Sequence, residues 1–321
     1  MDKNGVGLAQ RPDHPYPFLM MLDTSNGSAQ DFGGRPHRML TVCGATDVGS
    51  ERENNQDTFV IADLESGRMS RPCIRTDIWV SRPGVLMLVC DGMGGRAAGE
   101  VAAELAASSI KDELQAEGEN VGQSPVQALT RAIVGANKVI QDEAQAHPEE
   151  RGMGTTCTAA IVSPDRLAIA QVGDSRAYLL RDGRLHALTR DQTLASDLVA
   201  TGALKPDEVA TFPLRHVLAQ ALGTDAKVTP VITEVELHEG DRVLLCSDGL
   251  HGPVSDEKIG SIMSHTQEIA EVSQALIAAA LAAGGPDNVT VVVADCGPLR
   301  RSTTSPGWAL SDERALHSRH A

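Results

Sequence analysis

The sequence predicts an α+β fold in which two antiparallel sheets face each other and helices pack against their outer sides. Three observations support this prediction: strand-like segments are numerous, the later ones follow one another as hairpins, and two helical segments succeed the third strand. A parallel sheet would instead need strands and helices in alternation. Ten strands are too many for one small sheet, so two packed sheets are expected.

The predicted strands are short segments rich in apolar and β-branched residues and bounded by turn residues. They lie near residues 39–46, 57–63, 85–90, 155–162, 166–172, 176–181, 184–188, 228–237, 241–246 and 289–295. Two turn signals separate neighbouring strands, Pro164-Asp165 and Asp182-Gly183. Asp-Gly is a strong signal for a two-residue hairpin turn.

Three segments predict helices. An alanine-rich helix is expected from about residue 97 to residue 117. The next begins with Ser124 as N-cap, Pro125 at the first helical position and Gln127 as the capping-box partner. Apolar residues at spacings of three and four form a single stripe along this helix. A second such stripe predicts the last helix, which ends at Gly284 and Gly285. The stripes are Val126, Leu129, Ile133, Ala136 and Ile140, and Ile269, Val272, Leu276 and Ala280.

The composition and charge of the chain exclude several function classes. Of 321 residues, 41% are hydrophobic, which is ample for a buried core, and the formal net charge is -15. This charge argues against nucleic-acid binding, because phosphate backbones require a basic surface. No apolar stretch approaches the ~18 residues of a membrane span, and no secretory signal pattern begins the chain. We therefore expect a cytoplasmic protein without a membrane span.

The cysteines fit the same compartment. None of the six forms a C-x-x-C pair, and Cys90, Cys157 and Cys246 lie inside apolar runs. Small buried thiols in a reducing cytosol explain this pattern better than a zinc site or disulfides.

Acidic turns beside apolar strands are the strongest functional signal. An isolated Asp-Gly pair is usually only a turn, and Asp182-Gly183, between polar flanks, is interpreted so. Asp91-Gly92 and Asp248-Gly249 differ because each ends a continuously apolar strand, where an unpaired carboxylate would be costly. Such carboxylates suit hard cations, and Arg52 suits a phosphate. The residues thus predict metal-assisted hydrolysis of a phosphate ester.

Six segments, in order and spacing, resemble the motifs of the metal-dependent Ser/Thr protein phosphatases of the PP2C class (PPM family) in their bacterial form. They are Thr46-Asp47-Val48-Gly49 with Arg52 to Asp57, Asp91 to Glu100, Gly154-Thr155-Thr156, Gly173 to Tyr178, Ser247 to Leu250, and Asp287 to Thr290. The resemblance covers residues 39–296 and implies a four-layer α-β-β-α sandwich. Residues 1–38 are predicted to be a flexible leader and residues 297–321 a flexible tail, since neither shows periodicity.

The resemblance also implies the roles of individual residues. Asp91 matches a carboxylate that bridges two metal ions, and Gly92 matches a residue whose carbonyl binds one of them. Asp248 and Asp287 match ligands of the other ion. The remaining matches are Asp57, which binds metal directly or through water, Arg52, which binds the substrate phosphate, and Asp174, which with the Asp248 position holds a weaker third ion.

The function implied is hydrolysis of phosphoserine and phosphothreonine in proteins by a water activated by two ions. An all-oxygen ligand set favours Mn²⁺ or Mg²⁺ over zinc. The expected partners are phosphorylated proteins, in opposition to a Ser/Thr kinase, and the expected assembly is a monomer. Two alternatives stay open: a catalytically silent phosphoprotein-binding scaffold, and a phosphatase of small phosphate esters. The scaffold is disfavoured because Arg52, Asp91, Asp248 and Asp287 are all present.

Some positions depart from the family pattern. Met93 stands where eukaryotic relatives carry a proposed general-acid histidine, Gln56 replaces a glutamate ligand, and Gly252 replaces an aspartate of the third ion site. Residues 190–222 correspond to a mobile flap over the substrate groove. His216 and His251 are interpreted as neutral surface histidines, with a position facing the site as the less favoured alternative.

Overall fold

Alternating burial along the strands explains how two sheets and two helical layers form from one chain. In the central strand at residues 85–93, Leu86, Leu88 and Cys90 contact helices, whereas Val85 and Met87 contact the other sheet. A strand that is apolar on both faces must be covered on both faces. The computed structural model describes residues 34–95 and 98–300, all within one compact unit.

The strands and helices have the following bounds. The strands are β1 (His37–Asp47), β2 (Asp57–Asp63), β3 (Thr76–Val80), β4 (Val85–Met93), β5 (Gly154–Thr155), β6 (Cys157–Val162), β7 (Arg166–Val172), β8 (Arg176–Arg181), β9 (Arg184–Ala187), β10 (Val231–Glu236), β11 (Arg242–Cys246) and β12 (Val289–Arg300). The helices are α1 (Ala98–Glu117), α2 (Pro125–Ala146), α3 (Leu194–Ala200), α4 (Asp248–His251), α5 (Asp256–His265) and α6 (Ile269–Ala282). Short 3₁₀ helices occupy Gly118–Asn120, Pro148–Glu150 and Pro206–Thr211.

The strands form two antiparallel sheets. The first has the order β3-β1-β12-β11-β8-β9, and the second has the order β10-β7-β6-β4-β2, with β5 paired to the end of β4. One apolar cluster lies between the sheets, a second joins the β4 sheet to α1 and α2, and a third joins the β12 sheet to α5 and α6. The predicted α+β sandwich of four layers is therefore confirmed.

The local predictions differ in outcome. The Asp182-Gly183 turn is confirmed, with positive φ at both residues between β8 and β9. The helix from Pro125 and the end of the last helix near Gly284 are also confirmed. The capping box at Ser124 is wrong, because this N-cap side chain makes no capping hydrogen bond. Strand β3 and helix α5 were not predicted.

The chain ends and cysteines complete the comparison. β1 begins at His37 and β12 ends at Arg300; the rest of the predicted leader and tail lies outside the described residues, apart from 34–36. Five cysteines are buried and Cys73 is exposed, and all six are free thiols. Among the described helices, none combines the length and apolarity needed to cross a membrane.

Candidate active site

The predicted site residues converge because four strands begin or end at one edge of the sandwich. β4 and β11 end there, and β2 and β12 begin there. We call the depression at this edge the cleft; it has a volume of about 580 Å³. Its lining includes Arg52, Asp91, Gly92, Asp174, Asp248 and Asp287. Asp57 is absent from the lining and lies directly opposite Asp91 on the neighbouring strand.

Asp57 is a buried carboxylate, with 8% of its surface exposed. Its Oδ2 accepts a hydrogen bond of 2.7 Å from Ser247 Oγ, whereas its Oδ1 is buried without a hydrogen-bond partner. Burial raises the pKa of Asp57 to about 7, and the charges of Asp248 and Asp287 add to this effect, although hydrogen bonds oppose it. The site therefore holds a buried carboxylate oxygen without a hydrogen-bond partner among the described residues.

Asp91 is fixed through its backbone. Its N–H donates to Thr156 Oγ1 at 3.0 Å, and its carbonyl accepts from Thr155 Oγ1 and from the Thr156 N–H, both at 2.9 Å. Desolvation raises the pKa of the Asp91 carboxyl well above its ordinary value, and the charges of Asp57 and Asp248 raise it further. Thr155 is the last residue of β5, and Thr156 lies between β5 and β6.

Gly92 follows Asp91 where the backbone of β4 meets the first turn of α1. A Cβ atom at this position would lie 2.1 Å from the Gly99 carbonyl oxygen and 2.7 Å from that of Gln56. Neither backbone atom can move aside cheaply, so only glycine fits. The Gly92 N–H donates to the Gln56 carbonyl at 3.1 Å, which connects β4 to the segment before β2.

Asp248 and Asp287 come from the ends of neighbouring strands. Asp248 is the first residue of α4, and its Oδ1 is buried and has no hydrogen-bond partner in the part of the chain that the structure describes. Burial raises the pKa of Asp248, and the charge of Asp287 adds to it. The oxygens of Asp287 are occupied: Oδ1 accepts from the Asn288 N–H at 2.9 Å, and Oδ2 accepts from Arg52 Nη2 at 2.6 Å.

Arg52 lies at the rim of the cleft, with 53% of its side chain exposed. Among the described residues that line the cleft, it is the one arginine or lysine. Its hydrogen bond to Asp287 raises the pKa of the guanidinium, which is charged at all physiological pH values. A guanidinium in this position can bind a phosphate that enters the cleft.

Asp174 lies in the turn between β7 and β8 and is buried. Burial raises its pKa to about 8, and the charges of Asp248 and Asp191 contribute. The His251 Nε2 lies 3.1 Å from the Asp174 carbonyl oxygen. The surface interpretation of His251 is wrong, because the ring is partly buried; burial lowers its pKa to about 4, so the predicted neutral state agrees with its surroundings.

The donor set fits divalent cations. Two unpartnered carboxylate oxygens, on Asp57 and Asp248, lie in a site where Asp91 also has a raised pKa. Such a group of carboxylates is costly unless cations neutralise it. Because all the donors are oxygens, the set favours Mg²⁺ or Mn²⁺ over softer metals.

Several residues of the site could not be assigned from the sequence. His216, from the flap (residues 190–222), is exposed as predicted and also lines the cleft. Ser247 and Asn288 support the aspartates through hydrogen bonds. Their places beside Asp248 and Asp287 in the motifs were the available signal.

Comparisons with known proteins agree with this geometry. Residues 74–283 match the family model described as Protein phosphatase 2C. The chain is 42% identical over 221 residues to the serine/threonine protein phosphatase PstP of Mycobacterium tuberculosis H37Rv, which covers 69% of this chain and 42% of the relative. It is 32% identical over 254 residues to the protein phosphatase PhpP of Streptococcus pneumoniae D39, which covers 77% and 94% of the two chains. The chain thus spans less than half of PstP but nearly all of PhpP.

Solved structures show the same fold. The crystal structure of M. tuberculosis PstP/Ppp has a TM-score of 0.68 at 38% identity and covers 80% of this chain and 98% of that chain. The catalytic domain of PstP in complex with two manganese ions has a TM-score of 0.67 at 36% identity, with 81% and 99% covered. The family match spans well over half of the chain and agrees with the strand order and the cleft, so the chain belongs to the protein phosphatase 2C family.

Proposed function

We propose that this protein is a metal-dependent serine/threonine protein phosphatase. The observation that carries the proposal is the pair of buried, unpartnered carboxylate oxygens on Asp57 and Asp248, in a cleft with Arg52 at its rim. The names of PstP and PhpP as protein phosphatases support it, as does the PstP catalytic domain solved with two manganese ions.

In this proposal the ions are held by the aspartates at the sheet edge. The ligands are Asp57, Asp91, Gly92 through its carbonyl, Asp248 and Asp287, with Asp174 at a third ion. When bound, Mn²⁺ or Mg²⁺ supplies Lewis-acid activation of a water molecule and withdraws charge from the phosphate oxygens. The chain's part is to fix these oxygens on rigid strand ends, which lowers the reorganisation needed during reaction.

Arg52 binds and orients the substrate in this mechanism. Its exposed guanidinium offers a planar fork of N–H donors that matches two oxygens of a phosphate monoester. The phosphorus must be attacked in line with the bond to the leaving group. By holding the phosphate oxygens, Arg52 therefore also orients the phosphorus for this attack.

The nearest thiol does not compete as a nucleophile. Cys90 precedes Asp91 and is fully buried. A hydrogen bond with Cys157, together with burial, raises the Cys90 pKa well above its ordinary value. A protonated, inaccessible thiol is unreactive, so direct attack by water is the route that these residues support.

We further propose phosphorylated proteins as the substrates and a Ser/Thr kinase as the opposing enzyme. The protein would act as a cytoplasmic monomer, since one chain supplies every proposed ligand.

Hydrolysis of p-nitrophenyl phosphate and of a phosphothreonine peptide, with EDTA, Mg²⁺, Mn²⁺ or Zn²⁺, tests the function. We expect turnover with Mn²⁺ or Mg²⁺, none with EDTA, and none in Asp91→Ala. If the folded protein shows no turnover with any metal, the phosphatase proposal is wrong and the phosphoprotein-binding scaffold is favoured. Turnover of the small ester without release of phosphate from the peptide favours the small-ester enzyme.

A further inference from the structure

We propose that Asn288 is a positioning residue that sets the place of Arg52 for phosphate binding. This inference rests on the proposed function. Asn288 has 5% of its surface exposed and precedes β12, next to Asp287. Its side-chain amide touches none of the reacting groups; it acts on the segment that carries Arg52, residues 48–56, which we call the Arg52 loop.

The Asn288 amide holds the Arg52 loop on both sides of the arginine. Its Nδ2 donates to the Val48 carbonyl at 2.8 Å and to the Asn54 carbonyl at 2.9 Å. Its Oδ1 accepts from the Gln56 N–H at 2.8 Å. Both donor hydrogens and one acceptor site are therefore used on the backbone of a loop that has no strand or helix of its own.

The exposure of Arg52 makes this anchorage necessary. More than half of its side chain is exposed, so packing does little to fix it. A hydrogen bond to Asp287 Oδ2 holds the guanidinium, and the backbone of the loop sets where the side chain starts. A long side chain on an unanchored loop would lose more conformational entropy on binding phosphate. A fixed backbone reduces that cost before the substrate arrives.

The same residue connects the Arg52 loop to the metal ligands. The Gln56 N–H donates to Asn288 Oδ1, and the Gln56 carbonyl accepts from the Gly92 N–H. The Asn288 N–H also donates to Asp287 Oδ1 at 2.9 Å. The Arg52 loop, the end of β4 and the start of β12 therefore share one buried junction.

A double-mutant cycle tests the inference. The variants are Asn288→Ala, Arg52→Ala and the double variant, together with Asn288→Asp, which keeps the shape and loses both side-chain donors. Inorganic phosphate is the probe: its dissociation constant is measured by calorimetry with Mn²⁺ present, and its inhibition constant by kinetics. We expect Asn288→Ala and Asn288→Asp each to weaken phosphate binding about tenfold. In the Arg52→Ala background the further loss should be under twofold, because the interaction being positioned is already absent.

Asn137 provides a matched control. This amide is also buried, donates to the Asp225 carbonyl at 3.1 Å and accepts from the Gly223 N–H at 2.7 Å. Both of these bonds are to residues outside the Arg52 loop. Asn137→Ala should lower the melting temperature and leave phosphate affinity within twofold of the parent.

The outcomes separate the inference from the function on which it rests. Additive losses from Asn288→Ala and Arg52→Ala, or unchanged phosphate affinity in folded Asn288→Asp, would overturn the positioning role while leaving the phosphatase intact. Absence of turnover in the parent protein would overturn the function itself. Equal losses of phosphate affinity in the Asn137 and Asn288 variants would show that general destabilisation is the cause.

Discussion

Two segments border the cleft, and they differ in how they are held. The Arg52 loop is anchored along its length, by the Asn288 amide and by a 2.7 Å bond from the Ser50 N–H to the Gly285 carbonyl. The flap is anchored at its base, where Gln192 Oε1 accepts from the Gly173 N–H at 2.9 Å and from Gln220 Nε2 at 2.7 Å. Most described side chains between 201 and 217 are exposed.

This difference suggests that the two segments have different roles in substrate binding. Phosphate is the same in every substrate, so the Arg52 loop that meets it gains from rigidity. The protein around the phosphate varies, and a segment tied only at its base can adapt to different surfaces. We call the Arg52 loop the fixed side of the cleft and the flap the adaptable side. If the two sides differ in this way, substitutions on them should affect turnover differently.

Asp248→Asn is expected to have the largest effect, since Asp248 lines the cleft and is a proposed metal ligand. The change keeps the shape and removes a charge, so kcat/KM for p-nitrophenyl phosphate should fall by roughly 10³-fold. Without metal, the variant should melt at a higher temperature, because one of the charges that raise the pKa of Asp91 is gone. Kinetics with Mn²⁺ and thermal melting in EDTA measure the two effects. A variant of comparable activity would remove Asp248 from the metal site.

Gly49→Ala and Gly202→Ala compare the two sides directly. Both glycines have positive φ, near +79° and +75°. A Cβ at Gly49 would lie 2.2 Å from the Asp287 carbonyl oxygen, whereas one at Gly202 would meet nothing within 4 Å. Gly49→Ala should therefore displace the Arg52 loop and lower kcat/KM by roughly 10²-fold. Gly202→Ala should cost about 1 kcal/mol of stability from backbone strain and leave kcat/KM within twofold.

Both variants place an alanine at a positive φ, so the backbone strain that they share cancels when the two are compared. Steady-state kinetics on p-nitrophenyl phosphate and urea unfolding are measured for both variants. If Gly202→Ala impairs turnover of this small substrate as much as Gly49→Ala does, the proposed difference between the Arg52 loop and the flap is wrong.

Gln192→Ala should loosen the base of the flap. The side chain loses its bonds to Gly173 and Gln220, and also the 3.1 Å bond from its Nε2 to the Gln171 carbonyl. The three side-chain hydrogen bonds of Gln192 contribute roughly 1 kcal/mol each to holding this base. Only part of that energy stabilises the bound peptide, so we expect KM for a phosphothreonine peptide to rise about fivefold. KM for p-nitrophenyl phosphate should change by less than twofold. Equal changes for both substrates would mean that the flap acts on the phosphate itself.

The sequence predicts the fixed side of the site better than the adaptable side. Asp91 and Asp248 follow strands that are apolar on both faces, and a carboxylate at such a strand end is conspicuous. The family resemblance placed these carboxylates at one edge of the two sheets. Two packed sheets with helices outside followed from the number of strands, their hairpins and the two successive helices, and the four-layer sandwich followed from the resemblance.

What the sequence could not show depends on contacts between distant residues. Asn288 and Val48 are 240 residues apart, and no local pattern pairs them. His216 lines the cleft from a flap whose base is bonded to Gly173, a pairing that no local pattern predicts. β3 was missed because it is a five-residue strand at the edge of its sheet, partly exposed, so its apolar pattern is weak.

The smallest effect on catalysis is expected at the opposite end of β11. Asp241 is separated from the start of α4 by that five-residue strand, roughly 17 Å long. Its carboxylate has 1% of its surface exposed and receives two bonds from Arg181, at 2.8 and 2.6 Å, and one of 2.7 Å from the His238 N–H. Burial alone would raise the pKa of Asp241, but these donors outweigh it and the pKa is lowered.

A lowered pKa fixes the sign of the pH dependence. The stabilisation is complete above the pKa of Asp in the unfolded chain, about 3.9, and is lost as pH falls through the lower folded value. Asp241→Asn should lower the free energy of unfolding by about 2 kcal/mol at pH 7, because charged hydrogen bonds to Arg181 are lost. The free energy of unfolding of the variant should also change less with pH below pH ~4 than that of the parent. Urea unfolding at several pH values measures both. Turnover at pH 7 should stay within twofold, because neither the Arg52 loop nor the flap contacts this ion pair. A large loss of turnover in the folded variant would show that the fixed side of the cleft depends on the whole sheet rather than on its own junction.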